Sequence, residues 1–260
     1  MLLLNLPIGQ IYVFLFVLVR VAAMLSFIPF FDSRNVPILL KTGLSVSVSW
    51  LLLPMVHNLP PNLETAPVIA IILGIASEIA IGLIIGLMVQ LLFVGIQIAG
   101  QMAGYQMSLA LANVVDPASS SQIPILSQFL NIFALMIFIS LDIHHYFIRA
   151  LVDGFETIPF WSAHFEGNIM QLVIRTVARS FTIAVQVGAP VIVALLLTSV
   201  ALGLIARTVP QMQVFIVSMP LNILLGLLFF GFSLPFCMAF FRNIFIDLGQ
   251  TVQGAIHVLF

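Results

Sequence analysis

The chain has 260 residues, 62% of them hydrophobic and 7% charged, and its mean hydropathy is +1.24. A soluble domain carries about a quarter charged residues to wet its surface, which eight Lys/Arg and nine Asp/Glu cannot supply for a globule of this size. The net charge of -1 excludes a basic nucleic-acid face, and the lone Cys237 excludes an internal disulfide and a multi-cysteine metal site.

Apolar segments run over 11–31, 42–56, 68–99, 125–141, 169–206 and 214–241. They are long and continuous, without the period-two alternation of a membrane barrel, so the expected fold is an all-α membrane protein. Met1–Gln10 carries no Lys or Arg and no small-residue cleavage site, so the first helix is expected to act as its own insertion signal. Pro29, Pro37, Pro54, Pro60, Pro61 and Pro67 mark helix ends around the first two segments. The lengths do not suit simple crossings: 42–56 is short, while 68–99 and 169–206 suit tilted, bent or broken helices, with Pro190 a kink point. Orientation is weakly encoded. A six-segment chain with its N-terminus outside places Arg34, Lys41 and Arg207 in the cytoplasm but Arg149, Arg175, Arg179 and Arg242 near the outer side.

In the third segment Ala70, Gly74, Glu78, Gly82, Gly86 and Gln90 recur every four residues. Such positions share one slowly winding helix face, and the glycines let another backbone approach closely. Glu78 is the only charge in the run and sits on this stripe, so it faces protein or water and not lipid. It reads either as a proton or ion site or as a packing carboxylate bonded to a neighbouring subunit. Gly100–Pro124 (GQMAGYQMSLALANVVDPASSSQIP) is rich in Gly, Gln and Ser yet nearly uncharged. Irregular backbone at membrane depth is tolerated only inside protein or beside a water-filled cavity. The stretch is therefore expected to form a re-entrant loop or plug, or else an interhelical loop packed on its own protein.

Beyond the fourth segment, Asp142, His144 and His145 adjoin, but neighbours on a helix point about 100° apart, which makes a two-histidine metal site poor. Arg207–Gln213 (RTVPQMQ) is a short polar break in which Pro210 ends or kinks a helix and Arg207 can cap its last carbonyls. No HExxH, GxSxG, Walker-type loop or GxGxxG occurs, and no nucleophile stands at a recognisable spacing from a base. The sequence implies no cofactor.

Taken together, several features resemble the FliR (SctT) family of type III export-gate subunits. They are Arg20 with Pro29, Lys41, Glu78 followed by Gly82 and Gly86, Ala99-Gly100, and Gln106-Met107 leading to Val115-Asp116-Pro117. Asn131, His144 with Tyr146 and Phe147, Phe155 with Ile158-Pro159, Ala189-Pro190, and Pro210-Gln211-Met212 before Val214-Phe215 continue the pattern. Gln213 stands where relatives commonly carry Asn, and Leu111 and Val114 stand where many carry aromatics.

The resemblance implies a non-catalytic channel subunit of the bacterial inner membrane, at the flagellar basal body, built of bent helical hairpins. About 1–125 would be a FliP-like half and about 126–260 a FliQ-like half, assembling with FliP-like and FliQ-like subunits into a helical cone. A FlhB-like switch subunit would contact it, and unfolded flagellar proteins would pass through. The resemblance also implies a gate loop of Gly104, Tyr105, Gln106, Met107, Leu109, Leu111, Val114, Val115, Asp116 and Pro117. Subunit packing would fall to Gly74, Glu78, Gly82, Gly86, Gly100, Arg207, Pro210, Gln211 and Met212. A virulence-type injectisome gate, a secondary transporter using Glu78 and Arg207, and an intramembrane enzyme are the competing classes.

Overall fold

The computed structural model describes residues 8–29, 36–56, 67–109, 124–157, 168–209 and 213–259, and these residues are helical almost throughout. The order is α1 (Ile8–Phe27), α2 (Ile38–Leu52) with a 3-10 turn at Leu53–Met55, α3 (Val68–Gln106), α4 (Ile125–Ser140), α5 (Ile143–Thr157), α6 (Asn168–Thr208) and α7 (Val214–Leu259). Among the described residues five helices are long and apolar enough to cross a bilayer, or six spans if the bent α4–α5 pair counts as one. The chain is an all-α membrane protein.

The awkward segment lengths have a simple origin. Helices α3, α6 and α7 contain 39, 41 and 46 residues. At the α-helical rise they reach about 60 to 70 Å, roughly twice a hydrocarbon core. Interior prolines at Pro190 in α6 and at Pro220 and Pro235 in α7 are carried within continuous helix. Two elements exceed what hydropathy suggests. Helix α7 runs on past residue 241 to Leu259, and the punctuated stretch after residue 141 contains α5. Both were hidden by amphipathicity: α5 buries Ile143, Phe147, Ala150, Leu151 and Phe155 on one face and leaves His145 and Arg149 outside.

Buried hydroxyls are satisfied locally. Ser49 donates to Ser45 O at 2.6 Å, Thr176 to Leu172 O at 2.9 Å, and Ser233 to Phe230 O at 2.8 Å. This back-bonding removes each hydroxyl proton from the apolar surroundings at little cost.

The chain divides into two compact units. The first comprises residues 1–91, 139–176 and 245–260. Its core joins Phe16, Val17 and Met24 of α1, Ile85 and Val89 of α3, Phe147 and Leu151 of α5, and Phe245 of α7. The second comprises residues 92–138 and 177–244. Phe93 and Ile96 of α3, Leu130 of α4, Val191 and Leu195 of α6, and Phe241 of α7 fill its core. An edge-to-face pair, Phe93 and Phe138 with centroids 5.8 Å apart, lies in this core.

Candidate functional site

Within the first unit, the glycines of α3 decide where α1 lies. A Cβ on Gly82 would collide with the carbonyl oxygen of Arg20, and one on Gly86 would fall 2.7 Å from Phe27 Cβ and 2.9 Å from Met24 O. Both glycines are buried, as is Gly74 two steps earlier in the series. At Gly82 and Gly86 the stripe therefore receives the backbone of α1, a helix of the same chain.

That close approach brings two charges together. The Arg20 Nε donates to the Glu78 carboxylate Oε2, and the side chains are 0% and 1% exposed. The guanidinium carbon also sits 4.1 Å from the centroid of the Phe155 ring of α5, a cation–π contact strengthened by desolvation. Neither Arg20 Nη1 nor Nη2 finds a hydrogen-bond acceptor. The cluster ties α1, α3 and α5 together through one charged centre. Glu78 faces protein, as its place on the stripe requires, and the partner of its carboxylate is Arg20 of its own chain.

Further along α3, in the second unit, small residues again admit backbone. A Cβ on Gly95 would meet the carbonyl of Ser180 in α6, and one on Gly100 would lie 2.7 Å from the backbone nitrogen of Ser127 in α4. Ser127 Oγ donates to Gln97 O at 3.0 Å, and Gln97 Nε2 donates to Asn131 Oδ1 at 3.2 Å. Polar side chains at membrane depth thus pair between α3 and α4.

The polar stretch expected as irregular backbone from Gly100 begins instead as regular helix: α3 continues through Gly104 and Tyr105 to Gln106. It terminates because Ser108 adopts a left-handed φ of 62°, with its N–H donating to Tyr105 O at 3.0 Å. Met107, just past the helix, is fully buried with its side chain against Gly226 of α7; a Cβ there would overlap Met107 Cγ. Met107 is therefore an anchor packed on its own chain. Tyr105 is 67% exposed, and Gly104, Gln106 and Leu109 are half-buried. Leu111, Val114, Val115, Asp116 and Pro117 lie outside the described residues, as do Pro210, Gln211 and Met212. Arg207 is exposed in the last turn of α6, where its charge suits the carbonyl end of the helix.

At the break between α4 and α5, where the pair bends by 64°, the histidines lie closer together than helical spacing suggests. The rings of His144 and His145 are 4.2 Å apart. The Asp142 carboxylate is 3.7 Å from His145 Nδ1 and 4.0 Å from His144 Nε2. Both histidines lie in the first turn of α5, while Asp142, with a left-handed φ of 53°, precedes the helix, so its carboxylate is free of the helical spacing that separates the two rings.

Residues 11–248, all but the ends of the chain, match the family of bacterial export proteins, family 1. The chain belongs to this family. It is similar to the flagellar biosynthetic protein FliR of Bacillus subtilis, at 31% identity over 244 residues covering 93% of each chain. The FliR of Escherichia coli K12 is 29% identical over 93% of this chain and 92% of its own length. That of Caulobacter vibrioides is 31% identical over 86% and 89%.

In this bacterial export protein the sequence motifs located the stripe and Glu78, but ended α3 too early and missed three residues. Phe155 was read as part of a family pattern and not as the ring beneath Arg20. Gly226 gave no signal, because a glycine within an apolar run looks like any other small residue. Asn222, one turn before Gly226, is buried with its Oδ1 unpartnered; an isolated asparagine within the apolar 214–241 run was its only mark.

Proposed function

We propose that this chain is the FliR-type subunit of the flagellar type III export gate, a non-catalytic channel component through which unfolded flagellar proteins leave the cytoplasm across the inner membrane. The observation that carries the reading is the near full-length similarity to flagellar biosynthetic proteins, 93% of both chains for the Bacillus subtilis relative. A membrane protein of long helices with one bent pair fits that role. The flagellar names of the relatives favour the flagellar system over an injectisome.

On this reading the chain assembles with FliP-like and FliQ-like subunits into a helical cone, its portion before about residue 125 taking FliP-like positions and the remainder FliQ-like ones. A FlhB-like subunit contacts the assembly. Residues 104–117 act as the gate. Met107 is the fixed root, held in the Gly226 notch, and the aliphatic Leu109, Leu111, Val114 and Val115 form a deformable apolar seal beyond it, with Asp116-Pro117 setting the turn. Such a seal blocks ions by dewetting and yields to a passing chain. The Arg20–Glu78 pair serves the frame and not the gate.

The test has two parts. Native mass spectrometry after co-expression with FliP-like and FliQ-like subunits should show this chain in a larger mixed assembly. Shortening 106–115, or replacing its aliphatics with Gly, should make cells leak ions while that assembly persists. A chain that ignores both partners, or an intact assembly that stays ion-tight without its seal, sinks the respective half of the proposal.

A further inference from the structure

The turn into α5 gathers one carboxylate and two imidazoles, those of Asp142, His144 and His145, at the surface of the first unit. Its backbone is held from several sides. Asp142 N–H donates to Ile139 O at 3.0 Å, and Asp142 O accepts from His145 N–H at 3.0 Å. Ile143 and Phe147, on either side of the histidines in sequence, are buried. Between them Tyr146 lays its ring on the bare backbone of α7 at Gly249, where a Cβ would stand 3.0 Å from Tyr146 Cγ and Cδ1. The first turn of α5 is thus clamped on one face, and the polar trio stands on the other.

The three groups are close without satisfying one another. The Asp142 carboxylate oxygen lies 3.7 Å from His145 Nδ1 and 4.0 Å from His144 Nε2, beyond hydrogen-bond length in both cases. One ligand atom from each residue can be chosen so that all three fall within 4.8 Å of one another. Ligands held at about 2.0–2.1 Å by a tetrahedral ion stand about 3.4 Å apart. The two measured edges exceed that by about 0.3 and 0.6 Å, which small rotations of exposed side chains close.

Adjacent histidines on a helix share an ion poorly when both offer the same nitrogen. Here the nitrogens nearest the carboxylate differ, Nε2 at the far end of one ring and Nδ1 close to the backbone of the other. The difference in reach offsets the angle between the two side chains and leaves the rings 4.2 Å apart. A neutral imidazole presents one bare nitrogen, so each ring supplies one ligand.

We infer that Asp142, His144 and His145 form a binding site for a divalent transition-metal ion of the zinc type, held by one carboxylate oxygen and two imidazole nitrogens. Two nitrogens and one oxygen suit zinc, copper or nickel, whereas magnesium and calcium call for oxygen alone. Three protein ligands leave a position open to water or to a further ligand. Because its ligands are exposed or half-buried, the ion exchanges with solution. It staples the turn at Asp142 to the first turn of α5. The inference rests on this turn alone and is independent of the gate reading.

The test is metal titration of the full chain in detergent, purified without a histidine tag. Calorimetry with Zn²⁺ should show one saturable site that excess Mg²⁺ does not displace. Asp142→Asn, His144→Gln and His145→Gln should each weaken binding by at least about ten-fold, a loss that even the supporting residues of metal sites produce. Asparagine tolerates the left-handed backbone at 142, and the heating midpoint without metal checks that each variant is folded. Pulsed electron paramagnetic resonance with one equivalent of Cu²⁺ should count two imidazoles in the wild type and one in each histidine variant. Absence of a saturable site, or a single imidazole in the wild type, would overturn the assignment. So would undiminished binding in the folded variants, which would place the ion on His57, His164 or His257.

Discussion

Glu78→Gln removes the charge opposing Arg20 while keeping the shape of the side chain, and so isolates what the pair contributes. Both side chains are essentially out of contact with solvent, at 0% and 1% exposure. The substitution strands a guanidinium whose Nη1 and Nη2 already lack acceptors and whose remaining support is the Phe155 ring at 4.1 Å. Two routes give the same size of effect. Breaking a buried pair costs about 3–5 kcal/mol, and leaving an uncompensated arginine at a helix centre costs about 3 kcal/mol on insertion scales. The cation–π contact returns at most about 2 kcal/mol, and it is present already in the wild type. A loss of about 3 kcal/mol, or roughly a hundredfold in the folded-to-unfolded ratio, is expected.

The assay is the heating midpoint of the detergent-solubilised chain by size exclusion, alongside its yield in membranes. Arg20→Met should lose less, because Glu78 left alone can take up a proton and become neutral. The double variant Arg20→Met with Glu78→Leu should recover most of the loss, since a buried pair replaced by well-packed apolar groups is commonly neutral or better. A Glu78→Gln protein as stable as wild type, or a double variant as poor as the sum of the singles, would refute the view that the pair is a matched charge clamp within one chain.

Three further outcomes follow from the close contacts. Gly82→Ala drives a methyl into the Arg20 carbonyl; with backbone on the other side little can yield, so a loss at the upper part of the ~1–3 kcal/mol range for overpacking is expected by the same heating assay. Gly226→Ala should displace Met107 rather than α7, because the obstructing atoms Cγ and Sδ belong to a flexible side chain; stability should fall by about 1 kcal/mol or less, while a cysteine at 107 becomes markedly more reactive to a thiol reagent in the Gly226→Ala background. Gln97→Leu should cost about 0.5–1.5 kcal/mol through the lost bond to Asn131, and Gln97→Leu with Asn131→Leu should cost less than the two single changes together.

Much of the helical frame was legible because apolar runs of this length with so few charges admit only helices in a bilayer. The glycine period in 70–90 announced a face that takes another backbone, and the isolated carboxylate on that face announced a protein environment. Both statements depend on local periodicity and on the cost of an unsatisfied charge, which the sequence by itself determines. Sequence reasoning failed where polarity and helicity part company: Gly100–Gln106 and Ile143–Thr157 carry polar residues, yet their apolar neighbours at three- and four-residue intervals keep them helical.

What only the tertiary structure decided is which backbone each stripe receives. Nothing in the spacing of Gly82 and Gly86 says that α1 is the helix that fills them, that Arg20 thereby reaches Glu78, or that a glycine more than a hundred residues away makes room for Met107. Close packing is a relation between two surfaces brought together by the whole chain. A stripe of small residues records only the vacancy, and the occupant is fixed by the geometry of every helix around it.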